Sequence, residues 1–275
     1  MRRNVSVLLV IFFWIFPCAA LHAESSLDFG LGYQYFDYKE DLNPPLKSTE
    51  KGWVPSTYVD YTFRLKPFLY TRGHFDAAGG DVTFDGSTQG GAPVNFTDSR
   101  QTFLKLEWDV GYTYRMRENF QLIPYIGYGY RYWRRGSAKI TSSFRSYEED
   151  YSWSYLPVGL RAEYGISSKW SISATAAMNI MFNGRMKARL SQVVAGANDP
   201  EFDLGNKVGF YAELPVSYKV ARNWAIVATP WYEYSQIGQS NTVNVTQNNS
   251  VVGFAFEPAS RTHQYGFRLG ANLSF

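Results

Sequence analysis

A histidine two residues before an aspartate, His74-Phe75-Asp76, is the one constellation in this chain whose residue types could run a hydrolysis. Near neutral pH a histidine can take a proton from water, and a carboxylate can orient it. Acids suited to positioning that water, Asp81, Asp85 and Asp98, follow in a glycine-rich stretch. Residues at i and i+2 of a strand share a face without touching well. His74 and Asp76 are therefore weak candidates for a peptidase or lipid-hydrolase centre, and a non-enzymatic reading is preferred. His263 falls on an apolar face and reads as an interfacial side chain.

Two further sets could bind ions. Asp81, Asp85, Asp199, Glu201 and Asp203 offer the oxygen ligands that calcium takes, but without calcium-loop spacing. No metal site or cofactor is assigned. Arg134, Arg135, Lys139 and Arg145 form a basic run, and guanidinium suits phosphate.

The elements that must position these residues begin with a leader. Arg2 and Arg3 precede an apolar run broken by Pro17, and small residues follow at Ala19, Ala20 and Ala23. That is a secretory signal, residues 1–23, too short for a membrane-spanning helix. The mature chain, residues 24–275, loses its only cysteine, Cys18, and its formal charge falls from +3 to about +1 as two arginines leave. Near-neutral charge gives no case for a nucleic-acid partner.

After the leader, apolar and polar residues alternate. In Arg261 to Phe275 the apolar set is Tyr265, Phe267, Leu269, Ala271, Leu273 and Phe275, with polar or small residues between. Such period-2 runs recur near residues 27–35, 57–63, 68–77, 103–114, 120–133, 154–164, 170–182, 208–220, 224–234 and 262–275. Four connections are short and flanked by rings, as in Tyr114-RMREN-Phe120; five are long and rich in Gly, Asn, Ser and Asp. The pattern predicts an all-β, ten-stranded, antiparallel transmembrane barrel, an up-and-down meander with short periplasmic turns and long extracellular loops. Pro124, Pro157, Pro215 and Pro230 fall inside the expected strands, where bulges or strand ends would accommodate them.

Parity places one face of each strand toward the lumen. The inward charges are Asp28, Asp60, Arg72, Asp76, Lys105, Glu107, Asp109, Arg131, Arg161, Glu163, Glu213, Lys219, Glu233 and Arg268. Their near balance predicts pairing across a mostly filled lumen, because buried charge is tolerable only when paired. A narrow porin-like channel is the alternative.

The ending Glu257-Pro258-Ala259-Ser260-Arg261-Thr262 with Tyr265-Gly266-Phe267-Arg268-Leu269-Gly270, and the stretch from Pro124 to Tyr132, PYIGYGYRY, resemble a family of uncharacterised Gram-negative outer-membrane barrels. That resemblance implies an omptin-like size and strand number. The omptin catalytic pattern, an Asp pair opposite an Asp-x-His, is absent, since His74 precedes its aspartate. The resulting expectation is an exported outer-membrane protein, monomeric, acting through its loops in surface interaction or envelope integrity. Its expected partners are outer-membrane lipid, lipopolysaccharide touching Arg134, Arg135, Lys139 and Arg145, and the assembly machinery that reads a closing strand ending at Phe275.

Overall fold

In the computed structural model, which describes residues 23–65, 68–88, 90–136 and 146–275, ten antiparallel strands close into one barrel. β1 is Ala23–Glu40, β2 Ser48–Leu65, β3 Leu69–Ser87, β4 Pro93–Tyr112 with a continuation at Tyr114–Arg117, and β5 Phe120–Arg135. β6 is Glu149–Gly165, β7 Trp170–Ala188, β8 the two pieces Val208–Glu213 and Val216–Lys219, β9 Trp224–Ile237 and β10 Ser260–Ser274. Each pairs with its sequence neighbours, and β10 closes on β1 from Ser26 opposite Ser274 to Glu40 opposite Ser260. Closure leaves no barrel edge, which hydrocarbon requires of any strand that crosses it. Of the expected signal segment only Ala23 is described, as the first residue of β1.

Two belts of rings bracket the spanning part. The lower belt holds Phe68 stacked on Tyr112 at 5.7 Å, Trp170 beside Tyr218 at 4.7 Å, and Phe275. In the upper belt Tyr33 stacks on Trp53 at 5.2 Å, Tyr35 meets Tyr265 at 5.3 Å and Tyr234 meets His263 at 4.9 Å. Phe275 and Tyr265 are ten residues apart on the closing strand. At about 3.3 Å per residue and a tilt of roughly 40°, that is about 25 Å of height, matching an outer-membrane apolar band.

The strands do not stop at the upper belt, and there the side-chain pattern inverts. Below it β1 points Leu27, Phe29, Leu31, Tyr33 and Tyr35 outward, with Asp28, Gly30, Gly32 and Gln34 inward; above it Phe36 and Tyr38 are buried while Asp37 and Lys39 face out. The wall is thus lipid-facing and polar-cored below, then water-facing and apolar-cored above. Two of the connections expected to be long are correspondingly short, β1 ending at Glu40 with β2 starting at Ser48 and β3 ending at Ser87 with β4 starting at Pro93, because their flanks are tall hairpins.

The prolines behave differently from one another. Pro215 separates the two pieces of β8. Pro157 coincides with a break in the β5–β6 ladder, where pairing lapses between Ile126–Val158 and Gly129–Tyr155. Pro124 and Pro230, by contrast, lie in unbroken strands opposite Leu160 and Phe267, which corrects the expectation of bulges or ends at those two sites. Gly129 is glycine for a local reason: a Cβ there would sit 2.0 Å from the buried Tyr155 ring.

Candidate functional site

The lumen has two storeys. The lower one is a lattice of ion pairs among residues brought together from β1 to β10. Glu213 is its hub, accepting from Arg72 at 3.3 Å, Arg161 at 3.4 Å, Thr175 at 3.3 Å and Tyr211 at 2.7 Å, with Arg268 3.7 Å away. Each arginine holds a second acid. Arg72 donates to Asp60 at 2.7 Å, Arg161 to Glu163 at 2.7 Å, and Arg268 reaches Asp76 at 3.1 Å. Higher up, Lys105 lies between Glu107 at 3.5 Å and Glu233 at 3.6 Å, and Arg131 also pairs with Glu233. Asp28 accepts from Tyr58 at 2.8 Å, and Asp109, almost wholly buried, lies opposite Arg72 on the next strand. Such burial is sustainable where a charge meets an opposite one; among the described residues Asp28 has only the Tyr58 hydroxyl, and the Asp109 Oδ1 has no hydrogen-bond partner.

The inward parity therefore locates these groups, with one correction. Lys219 is exposed at the end of β8, beyond the packed lattice, because the strand breaks at Pro215 and ends at this residue. Conversely, Arg64 joins the lattice through Glu163 at 2.6 Å. It lies on the same parity as Asp60, and extending the expected 57–63 strand by one residue would have found it.

The upper storey is a plug of rings inside the wall that rises above the membrane. Phe36, Tyr38, Phe103, Trp133 and Tyr151 pack at 4.5–5.6 Å between centroids, Trp133 stacked on Tyr151 and edge-on to Phe36 and Tyr38, with Val54, Val82, Trp153, Met181 and Met186 filling round them. Trp133 donates its indole N–H to Gln101 at 2.7 Å, so the polar end of the largest ring is satisfied. On top lies an acid-rich cluster. Arg135 Nη1 is 2.6 Å from Glu149 and 3.4 Å from Glu40, its Nε is 3.1 Å from Glu50, and Tyr151 donates to Glu257 at 2.7 Å. Burial, with Glu149 and Glu40 beside it, pushes the Glu257 carboxyl well above its ordinary range. Sequence reasoning missed this cluster because its acids fall in stretches read as loops.

One large cavity, about 500 Å³, opens at the end bearing the short turns and reaches upward as far as Asp60, Arg72, Glu213 and Arg268. Above that level a space of about 40 Å³ remains between Gln34, Phe36, Lys105, Arg131 and Trp133.

The hydrolytic candidates are placed in the lattice. His74 is 3 % exposed and its Nδ1 lies 2.8 Å from Asp60, while Asp76 is engaged by Arg268. The run expected to end near residue 77, which would put His74 close to the outer end of its strand, extends to Ser87 and leaves the histidine at the depth of the spanning segment. Three of the loop acids are engaged as well. Asp85 pairs with Lys47, Glu201 with Lys187 at 2.8 Å, and Asp199 accepts from the Ser191 N–H at 2.9 Å. Among the described residues no group of three or more His, Cys, Asp or Glu is placed to hold a metal ion. The basic run divides. Arg134 faces out and pairs with Asp150 at 2.7 Å, whereas Arg135 faces the lumen, so its expected contact with lipopolysaccharide is corrected. Strand parity puts these neighbours on opposite faces. Lys139 and Arg145 lie outside the described residues.

Ring belts about 25 Å apart around a closed, polar-lumened wall define a transmembrane β-barrel of the Gram-negative outer membrane. The chain belongs to the family described as "Outer membrane protein beta-barrel domain", whose model matches residues 6–203. Among solved structures it is similar to the outer membrane protease OmpT from Escherichia coli, with 8 % identity, 95 % of this chain and 99 % of that chain covered, and a TM-score of 0.63. It also matches OprG from Pseudomonas aeruginosa, with 12 % identity, coverage of 92 % and 96 %, and a TM-score of 0.41. A third is Ail, the attachment invasion locus protein of Yersinia pestis, with 12 % identity, coverage of 93 % and 100 %, and a TM-score of 0.35. The likeness to OmpT carries the fold and not an activity. No curated protein sequence matches the chain.

Proposed function

We propose that this protein is a non-conducting outer-membrane barrel that acts through its extracellular extension, in surface interaction or envelope integrity. The observation that carries this reading is the doubly occupied lumen, an ion-pair lattice beneath a plug of packed rings. An ion entering from the turn side meets charges largely tied up in ion pairs, then packed rings, and an apolar constriction excludes hydrated ions. The extension offers partners an apolar face. In the hairpin Val243–Gln247 and Ser250–Ala255, Val252 is 61 % and Phe254 73 % exposed. Hydrolysis at His74 and Asp76 finds no support in their geometry, since each is held by a charged partner deep in the wall.

Planar-bilayer recording of the purified full-length barrel tests the reading. The expected trace shows no unitary steps across the working voltage range. Reproducible steps that a Lys105→Gln or Glu233→Gln substitution alters would replace it with the narrow-channel reading.

A further inference from the structure

Above the upper ring belt the outward wall carries charge in two contrasting arrangements. On β5 to β7 and the short strand Glu201–Leu204 that pairs with β7, cations oppose acids. Arg134 lies across from Asp150, Asp150 from Lys187, Lys187 from Glu201, and Arg185 from Asp203. Arg189 adds a second guanidinium to Asp150, with its Nε at 2.8 Å. That patch neutralises itself, so Arg134 is poorly available to an external anion.

At the seam where β10 closes on β1 the order reverses. Lys39 lies directly opposite Arg261, both outward and exposed. Directly opposed like charges destabilise a sheet. Lys51 stands one diagonal step away, opposite Asp37 and 3.2 Å from it. Asp41 reaches Arg261 at 3.2 Å, but both side chains are about half exposed, so the pair is weakly held. Lys39 has no ion-pair partner among the described residues. Three cations thus share two acids. His263 is already engaged by Tyr232 at 2.8 Å.

Height and floor give this charge a recipient. Lys39 and Arg261 each lie four residues beyond the belt rings Tyr35 and Tyr265 of their own strands. That is about 10 Å of rise, from which long side chains can bend back to the phosphate level of the outer leaflet. Beneath them Trp53 packs on Tyr35 at 5.3 Å and on Tyr265 at 6.1 Å, an exposed aromatic floor of the kind that suits headgroup sugars. We propose that Lys39 and Arg261 clamp a phosphate of outer-leaflet lipopolysaccharide at the β1–β10 seam, with Lys51 as the third cation and Tyr35, Trp53 and Tyr265 under the sugar. A charged phosphate between two cations converts a repulsive pair into charge-assisted hydrogen bonds. The site stands whether or not the lumen conducts.

The test uses full-length protein folded in detergent micelles, with heat-modifiable gel mobility as the folding check. The probes are bisphosphorylated lipid A, the same lipid dephosphorylated, and inorganic phosphate. The Lys39→Gln/Arg261→Gln variant should bind lipid A at least about tenfold more weakly. The Arg134→Gln/Lys187→Gln variant should stay within about twofold, and wild type should bind dephosphorylated lipid A about tenfold more weakly. Because the seam variant loses a repulsion, it should fold at least as stably without lipid, and lipid A should protect wild type against urea but not the variant. Equal lipid A binding by the seam variant, an equal loss in the Arg134/Lys187 variant, or indifference to the phosphates overturns the proposal. So does displacement of lipid A by millimolar inorganic phosphate, which would make the seam a free-anion site.

Discussion

Replacing Glu213 by Gln keeps its shape and removes the charge on which three guanidiniums converge. The Glu213 side chain is 3 % exposed and Arg72 and Arg268 are nearly as buried. Breaking a buried pair by removing one partner costs about 3–5 kcal/mol. Two features of the lumen pull this case below that range. Arg72, Arg161 and Arg268 keep Asp60, Glu163 and Asp76 as second partners. The cavity of about 500 Å³ also brings solvent to that end of the lattice. The expected loss is about 2–3 kcal/mol, against about 0–0.5 kcal/mol for Glu201→Gln in the exposed pair with Lys187. Urea unfolding in lipid vesicles, followed by tryptophan fluorescence and by heat-modifiable mobility, measures both variants. A Glu213→Gln barrel within about 0.5 kcal/mol of wild type would refute the reasoning that paired charge holds the lumen closed.

Two other consequences are open to measurement. Removing Phe275 takes away its two backbone bonds to Ser25, at 2.9 and 3.0 Å, and a ring of the lower belt; the closing seam should then fray, and heat-modifiable mobility should fall sharply. For Glu257 the folded carboxyl lies above its unfolded value, so its contribution to stability is complete below the unfolded pKa of about 4.3 and is lost as pH rises through the raised folded value. Protease nicking of the extracellular loops should therefore accelerate as pH rises, and Glu257→Gln, which mimics the protonated acid, should flatten that dependence.

The spanning part of this fold was legible because its alternation is strict. Leu27 to Tyr35 and Tyr265 to Phe275 each point one apolar set outward, and their pairing follows. Parity likewise found most of the lower lattice, from Asp60 and Arg72 to Arg268, since lumen charge in hydrocarbon surroundings has to be paired. The extension was not legible, for a physical reason. At Phe36 the solvent outside the wall changes from lipid to water, so the buried set moves from polar to apolar while the strand geometry stays the same. A reader following one rule ends the strand there and assigns Glu40, Glu50 and Glu257 to loops. The split of Arg134 from Arg135 has the same origin, since adjacency in sequence is opposition across a strand. Lys39 opposite Arg261 depends on the closing register between the first and last strands, which no local sequence pattern encodes.

Closure of the lumen is the central claim, and cysteine accessibility tests it most directly. The one native cysteine, Cys18, lies in the expected leader, so a single introduced thiol reports alone. Ser217 lines the cavity at the turn end, and Asn249 sits at the tip of the outer hairpin. A membrane-impermeant maleimide small enough for a porin-like lumen, applied to one face of oriented proteoliposomes, should label Asn249→Cys only from the loop side and Ser217→Cys only from the turn side. Labelling of Ser217→Cys from the loop side, at a rate near that of Asn249→Cys, would mean that the plug is not a barrier and would contradict the account.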